Sequence, residues 1–331
     1  MDIDTIELIH GEGGKHTQQL IEDVFYKNFN NDILLKNTDS ALITLPSKNI
    51  AFTTDSFVVN PIFFRGGDIG KLAICGTIND LTACGAEPLY LSAGFIIEEG
   101  FLVEDLIKIV SSMKEASKIS KVNIVTGDTK VVPKGKVDKI FINTTGIGVV
   151  NGYKPKNIVC GDKVIITGTI GEHGTAIAVD RYNLKVKGHI ESDCEPLNYI
   201  LKCLKDYYDH IKFMRDPTRG GVGQVLNEIS KQCGLGIHIF EGKIPIRQEV
   251  EAINDMLGIN PLYLASEGRM IIVVDKEVSM KVLEDLIIKC NLKASIIGEF
   301  TEENQFVYIE NDFGGKRILT PLEAQILPRI C

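Results

Sequence analysis

The stretch GDIGKLAICGTINDLTACGAEP (residues 67–88) decides the fold. Asp68 stands where a helix N-cap belongs and Gly85 where a helix stops, and the residues between are mostly small or apolar, so the stretch reads as one buried helix. Its phase sets the reading of Asp80. At 100° per residue, Ile69, Ala73 and Gly76 fall within about 40° of Asp80 on the helical wheel, so this carboxylate shares a face with small and apolar side chains. A buried carboxylate is costly unless something pairs it. Asp80 therefore calls for an arginine or lysine, as in a plain salt bridge, or for a bound cation.

Upstream, residues 41–45 and 50–54 read as the strands of a hairpin that ends on Asp55. Further upstream, the glycine-rich turn His10-Gly11-Glu12-Gly13-Gly14-Lys15 opens an amphipathic helix bearing Leu20, Ile21, Val24 and Phe25. Such a turn can cradle phosphate through backbone N–H groups. It is not a Walker A loop, because Ile9 and His16 stand where that loop needs glycine and Ser or Thr. Downstream come a strand at 90–97, a helix at 102–117, a strand at 122–126 running into Gly127-Asp128-Thr129-Lys130, and a strand at 139–145 before Gly146. Asp55, Asp80 and Asp128 thus occupy element ends or a buried face, where oxygen ligands for Mg²⁺ are found, with Lys130 beside them.

Between about 150 and 158 the pattern restarts. A strand at 163–167 meets a glycine-rich turn, Gly168 to Gly174, whose His173 is either a ligand or general base, or a cap or packing residue. Arg215-Asp216-Pro217-Thr218-Arg219-Gly220-Gly221 precedes a helix at 222–233 and combines anion clamps, a cation ligand and room for close backbone approach. It also reads as an elaborate helix cap. Glu267 lies in a loop before a strand at 269–274, as a candidate base or a surface acid.

With 331 residues, 44% hydrophobic, the chain is long enough for two domains. Its net charge of −8 and the lack of a basic run with interleaved aromatics argue against a nucleic-acid partner. The acidic start, Met1-Asp2-Ile3-Asp4, and the absence of a long apolar run predict a cytoplasmic protein with no membrane span. Eight cysteines form no C-x-x-C and are scattered, so a disulfide framework is not expected and the internal ones read as small buried hydrophobes. Cys75 and Cys84, nine apart on one helix, face opposite ways and cannot share a metal there.

The last residues, Leu327-Pro328-Arg329-Ile330-Cys331, place a thiol beside the α-carboxylate, which disfavours a thiolate. Cys331 reads as a carrier, or as an incidental residue of a frayed end. Residues 311–328 show little periodicity and read as a mobile arm, which at roughly 3.3 Å per residue would reach several tens of ångströms.

Several of these stretches, TTDSFVVNP (53–61), residues 66–92, GDTKVV (127–132), NTTGIG (143–148), RDPTRGG (215–221), NPLYLASEG (260–268) and the terminal PRIC (328–331), resemble in order the motifs of the HypE family of hydrogenase maturation proteins. That family is related to aminoimidazole ribonucleotide synthetase, selenophosphate synthetase and thiamine monophosphate kinase. The resemblance spans nearly the whole chain, with Arg65 a departure where proline is common. It implies a two-domain α/β fold of the aminoimidazole ribonucleotide synthetase kind: residues 1–152 bind ATP and form a β-barrel across a homodimer, 153–310 form an α/β sandwich, and 311–331 form a flexible tail. It implies ATP and Mg²⁺ as cofactors, with Asp55, Asp80, Asp128 and Asp216 as metal and nucleotide ligands, and Thr129, Asn143, Gly220 and Gly221 as further nucleotide contacts. By the same resemblance, Cys331 is carbamoylated by the carbamoyltransferase HypF and dehydrated to thiocyanate, with Glu267 as base and Lys130 assisting. The cyanide then passes through a HypC–HypD scaffold to the iron of a [NiFe]-hydrogenase. Two other readings use the same aspartates: a kinase or synthetase acting on a free small molecule, and a nucleotide-gated scaffold.

Overall fold

The computed structural model describes residues 4–12, 14–36, 40–303, 305–324, 326–327 and 329–330; Cys331 and Gly13 lie outside them. The first half carries helix α1 (Lys15–Leu20), which runs on through a π-helical turn, Ile21–Tyr26. Its four-stranded sheet consists of β1 (Ile50–Phe57), β4 (Ala86–Glu98), β5 (Asn123–Val132) and β6 (Ile140–Val150), in the order β1-β6-β4-β5. A short pair, β2 (Phe63–Phe64) and β3 (Gly67–Asp68), precedes the central helix. The expected hairpin does not form. Residues 41–45 are not a strand, and β1 instead pairs antiparallel with β6 over its whole length, a long-range partner that local turn signals cannot reveal.

Helix α2 (Ile69–Ala83) matches its sequence reading. The Asp68 carboxylate accepts from the N–H groups of Gly70 and Lys71 at 2.7 and 3.0 Å, which satisfies two of the orphan donors at the helix start. Gly85 ends the turn at φ +65°. The helix is buried nearly all round because it lies between the first sheet, helix α3 (Val103–Ser120) and strand β8 (Ile211–Arg215) of the second half. Gly76 is where α2 meets β1: a Cβ there would stand 2.9 Å from the Phe57 ring. Close approach of helix to strand requires glycine at that point.

The second half is a seven-stranded sheet in the order β13-β12-β9-β11-β7-β10-β8. Its other strands are β7 (Lys163–Ile166), β9 (Gly236–Phe240), β10 (Ile271–Val274), β11 (Ser295–Thr301), β12 (Val307–Glu310) and β13 (Lys316–Ile318). Helices α4 (Glu172–Arg181), α5 (Leu201–Leu204), α6 (Gly221–Cys233), α7 (Gln248–Leu257) and α8 (Ser279–Ile288) connect them. Two expectations change here. Lys316–Ile318 pairs with β12 and Leu319 is buried, so the sheet claims residues assigned to the tail and the tail proper begins after about 319. Cys203 and Cys290, 87 residues apart, form a disulfide where α5 packs on α8, a juxtaposition invisible in the spacing of the cysteines. Of the free cysteines, Cys75 and Cys194 are buried while Cys84 and Cys160 are exposed.

Arg65 has a structural use. Its Nε and its backbone N–H both reach the Asp180 carboxylate, at 2.6 and 2.8 Å, bridging the two halves. No helix among the described residues is long and apolar enough to cross a membrane.

Candidate active site

A cavity of about 520 Å³ lies between the two halves, lined by Asp55, Asp80, Arg215, Asp216, Arg219 and Glu267, with Leu322, Glu323 and Ala324 along one side. Four of the carboxylates singled out in the sequence meet there. Asp55 comes from β1 on the face toward α2, and Asp80 from α2, where Thr53 Oγ1 donates to its Oδ2 at 2.8 Å. Asp216 and Glu267 come from two loops that pack on each other. The Ser266 N–H donates to the Pro217 carbonyl at 3.0 Å, and Gly221 (φ +62°) approaches the Leu264 carbonyl so closely that a Cβ would stand 2.5 Å from it. The double glycine of RDPTRGG therefore brings Asp216 to Glu267, and Gly220 (φ +78°) caps α6 beside them.

Burial pushes all four carboxyls up, and each neighbour adds to the effect. Asp55 raises Asp80, Asp80 raises Asp216, and Asp216 raises Glu267. Asp216 reaches about 7, and Glu267 is held well above the carboxylate range. Arg215 opposes this at Asp80 and Asp216, and Arg219 at Asp55. Glu267 is 1% exposed and its Oε1 has no hydrogen-bond partner. A buried carboxyl oxygen without a protein partner is available to a bound group, with which it can exchange a proton.

Among the described residues no group of three or more His, Cys, Asp or Glu side chains is set to hold a metal ion on its own. Mg²⁺ fits this arrangement better than a tighter binder would, because it keeps several waters and shares itself between one or two carboxylates and substrate phosphates. A cation among Asp55, Asp80 and Asp216 would also relieve the mutual repulsion that holds these carboxyls up.

Asp128 and Lys130 stand elsewhere. They lie within β5 rather than just past the end of a strand at 126, 3.4 Å apart and largely exposed. In register, Asp128 is opposite Gly94, Gly94 opposite Asn143, and Asn143 opposite Ser56. Asn143 Nδ2 donates to Ser56 Oγ at 3.0 Å, so these side chains share one face of the sheet while Asp55, one residue away, points to the other. Asp55 and Asp128 thus stand on opposite faces of the sheet. Asp128, Thr129 and Lys130 border a second cavity of about 460 Å³ with an apolar wall that includes Ile21, Phe25, Phe29 and Leu34.

Sequence reasoning missed the supports of Glu267. Asn79, fully buried on α2, donates to the carbonyls of Glu267 (2.9 Å) and Glu195 (3.1 Å) and accepts from the Leu197 N–H (2.8 Å). Asp193 Oδ1 accepts the Glu267 N–H at 3.2 Å, and Arg269 pairs with Glu172 and Glu195 at 2.7 and 3.0 Å. A polar residue inside an otherwise apolar helix was the available signal for Asn79.

Two family models cover the chain: AIR synthase related protein, N-terminal domain, over residues 37–150, and its C-terminal domain over 160–310. Carbamoyl dehydratase HypE of Azotobacter vinelandii is 42% identical over 99% of this chain and 97% of its own length. A crystal structure of hydrogenase maturation protein HypE in complex with ATP superposes with a TM-score of 0.92 at 40% identity, covering 99% of this chain and all of that one. The chain in a crystal structure of a HypE–HypF complex is 49% identical, with a TM-score of 0.80 over 92% of this chain and 99% of that one. Matched from end to end in sequence and in fold, the chain belongs to the AIR synthase related family and, within it, to the HypE carbamoyl dehydratases of hydrogenase maturation.

Proposed function

We propose that this protein uses ATP to dehydrate an S-carbamoyl group on its own Cys331 to S-cyanate, supplying the cyanide ligand for the iron of a [NiFe]-hydrogenase. The observation that carries this reading is the buried Glu267 carboxyl, unpartnered at Oε1 and set among aspartates at a cavity bordered by the chain's own tail.

An amide oxygen is a poor leaving group. Transfer of the ATP γ-phosphoryl to the carbamoyl oxygen forms a P–O bond, and loss of an N–H proton gives an O-phosphorylated imidate. Removal of the second N–H proton then forms the C≡N bond as the C–O bond breaks and phosphate leaves. The products are thiocyanate, ADP, phosphate and one net proton. Glu267 takes the nitrogen protons, and Arg215 and Arg219 neutralise charge around the transferred group. Asp55, Asp80 and Asp216, with Asp128 of the partner copy, would hold Mg²⁺, which when bound would supply charge neutralisation at the phosphates. Thr129, Asn143, Gly220 and Gly221 bind the nucleotide, with the base against the apolar wall of the second cavity.

Lys130 assists from a partner copy. The first sheet exposes Phe52 (67% exposed) and Ile50 on one edge strand, and Ile96 beside Lys130 at the other edge, a partly apolar surface suited to closing a barrel with a second copy. In this reading Lys130 and Asp128 of one protomer reach the cleft of the other. HypF is the carbamoyl donor and a HypC–HypD complex the cyanide acceptor, all in the cytoplasm.

Intact-protein mass spectrometry tests the reading. After incubation with carbamoyl phosphate, ATP, Mg²⁺ and the carbamoyltransferase, the protein should gain a carbamoyl group and then lose one water only when ATP is present, and Cys331→Ala should gain neither change. ATP hydrolysis without any adduct would instead favour a kinase of free small molecules.

A further inference from the structure

His173 has a use that the reaction above does not account for. It sits in the first turn of α4, fully buried, with the Phe64 ring edge-on at 5.3 Å between centroids. Nε2 lies 2.6 Å from the carbonyl oxygen of Ile330, and Nδ1 lies 2.7 Å from Ser192 Oγ. A carbonyl only accepts, so Nε2 carries the hydrogen. Nδ1 then accepts from the Ser192 hydroxyl, whose oxygen accepts in turn from the Cys194 N–H at 3.0 Å. With the ring neutral the three bonds run in one direction, and burial favours that form by pushing the imidazole down to about 4.

The preceding tail residue is also held. The Arg329 carbonyl accepts from the Asn60 N–H at 3.2 Å and from Arg181 Nη2 at 2.7 Å, and the Arg329 guanidinium meets Asp138 at 2.8 Å. Leu327 and Ile330 are 2% and 7% exposed and join the same buried apolar cluster as Leu264 and Ala265 of the loop that carries Glu267. Both halves of the molecule therefore grip the tail, and His173 takes its last carbonyl before Cys331. Arg181 and Asn60 act a residue earlier, so His173 alone among these contacts sets the rotation of the peptide from which the reacting side chain departs.

We propose that His173 is the positioning residue that sets the register of the docked tail, through its bond to the Ile330 carbonyl, so that the carbamoyl group on Cys331 presents its nitrogen to the base. This inference deepens the dehydratase reading and rests on it. A single neutral hydrogen bond is strong enough to favour one register and weak enough to let the tail leave for loading and unloading.

The test compares wild-type full-length protein with His173→Ala and with His173→Gln, whose amide retains a donor at the Nε2 position. Loading and dehydration of Cys331 are timed separately by mass spectrometry of the C-terminal peptide, and its alkylation by a maleimide is followed with ATP present. His173→Ala should load at the wild-type rate or faster, dehydrate about tenfold more slowly, and alkylate about tenfold faster; His173→Gln should recover most of both changes. Ser192→Ala, which frees the ring to take the other tautomer, should show the same pattern more weakly and serves if His173→Ala does not fold. Wild-type dehydration and alkylation in His173→Ala, or equal losses of loading and dehydration in the variants, would overturn the proposal. Failure of the wild type to dehydrate a loaded Cys331 would overturn the dehydratase reading itself.

Discussion

Asn79 Nδ2 donates to the Glu267 carbonyl at 2.9 Å, joining the central helix of the first half to the base-bearing loop of the second. With the bonds from Asn79 to Glu195 and Leu197, this one fully buried side chain fastens three points of the facing domain. The cavity between the halves keeps its shape through contacts of this kind rather than through the aspartates themselves, whose carboxyls repel one another.

Asn79→Ala should therefore act on both folding and chemistry. It leaves the carbonyls of Glu267 and Glu195 and the N–H of Leu197 without this partner, at a cost of about 2–4 kcal/mol in denaturant unfolding. Dehydration of loaded Cys331 should fall more than tenfold while ATP affinity changes little, because the base moves and the nucleotide contacts do not. Equal losses in binding and turnover would show that Asn79 merely holds the halves together.

The two faces of the first sheet make a sharper prediction. Glu267 lies in the interdomain cleft, and Lys130 on the exposed face beyond β6 and β4. Lys130→Ala and Glu267→Gln should each be inactive alone. Mixed and allowed to exchange subunits, they should recover about a quarter of wild-type turnover, since random reassembly makes half of the dimers mixed and each mixed dimer holds one intact site. A pair acting within one protomer would recover nothing.

Asp193 gives a pH signature. Burial raises its carboxyl to about 6, against the pull of Arg269. A folded-state value above the unfolded one means the native protein binds more protons, so this group's contribution to stability falls as pH rises from about 4 through 6. Asp193→Asn keeps the oxygen that accepts the Glu267 N–H and abolishes this loss. The variant should exceed the wild type by on the order of 1–3 kcal/mol at pH 7.5 and match it near pH 4 in denaturant titrations. A variant less stable at pH 7.5 would mean that the ion pair with Arg269 outweighs desolvation.

The sequence was most legible where local physics decides. The Asp68 cap, the Gly85 stop and the Asp80 face of α2 could all be read from spacing, and Asp55, Asp80, Asp216 and Glu267 line one cavity. It was least legible where partners are distant. The hairpin at 41–54 failed because β1 pairs with β6, about ninety residues away; Cys203 and Cys290 meet only once α5 and α8 are packed. Read from sequence, the strand from 122 stops at 126 with Asp128 at its end, yet β5 runs on to Val132. The face Asp128 occupies relative to Asp55 depends on three registers across four strands, and no local pattern encodes them.

Gly221 tests whether the site depends on backbone approach. Its φ of +62° suits glycine, and a Cβ would stand 2.5 Å from the Leu264 carbonyl and 2.6 Å from that of Leu262, both backbone atoms that cannot swing aside. Gly221→Ala must push the start of α6 away from the 262–267 loop, and with it Asp216 away from Glu267. Strain of about 1–3 kcal/mol should appear as lost stability. The diagnostic consequence is chemical. A separated pair no longer raises the Glu267 carboxyl through Asp216, so any residual turnover should have its acid limb shifted to lower pH. Gly234→Ala is the control: it ends the same helix at φ +73° with open space around it, so it shares the backbone penalty without moving either loop. Gly234→Ala should lose stability while keeping the wild-type pH profile, and an acid limb unmoved in Gly221→Ala would mean that the two loops are held together by other contacts.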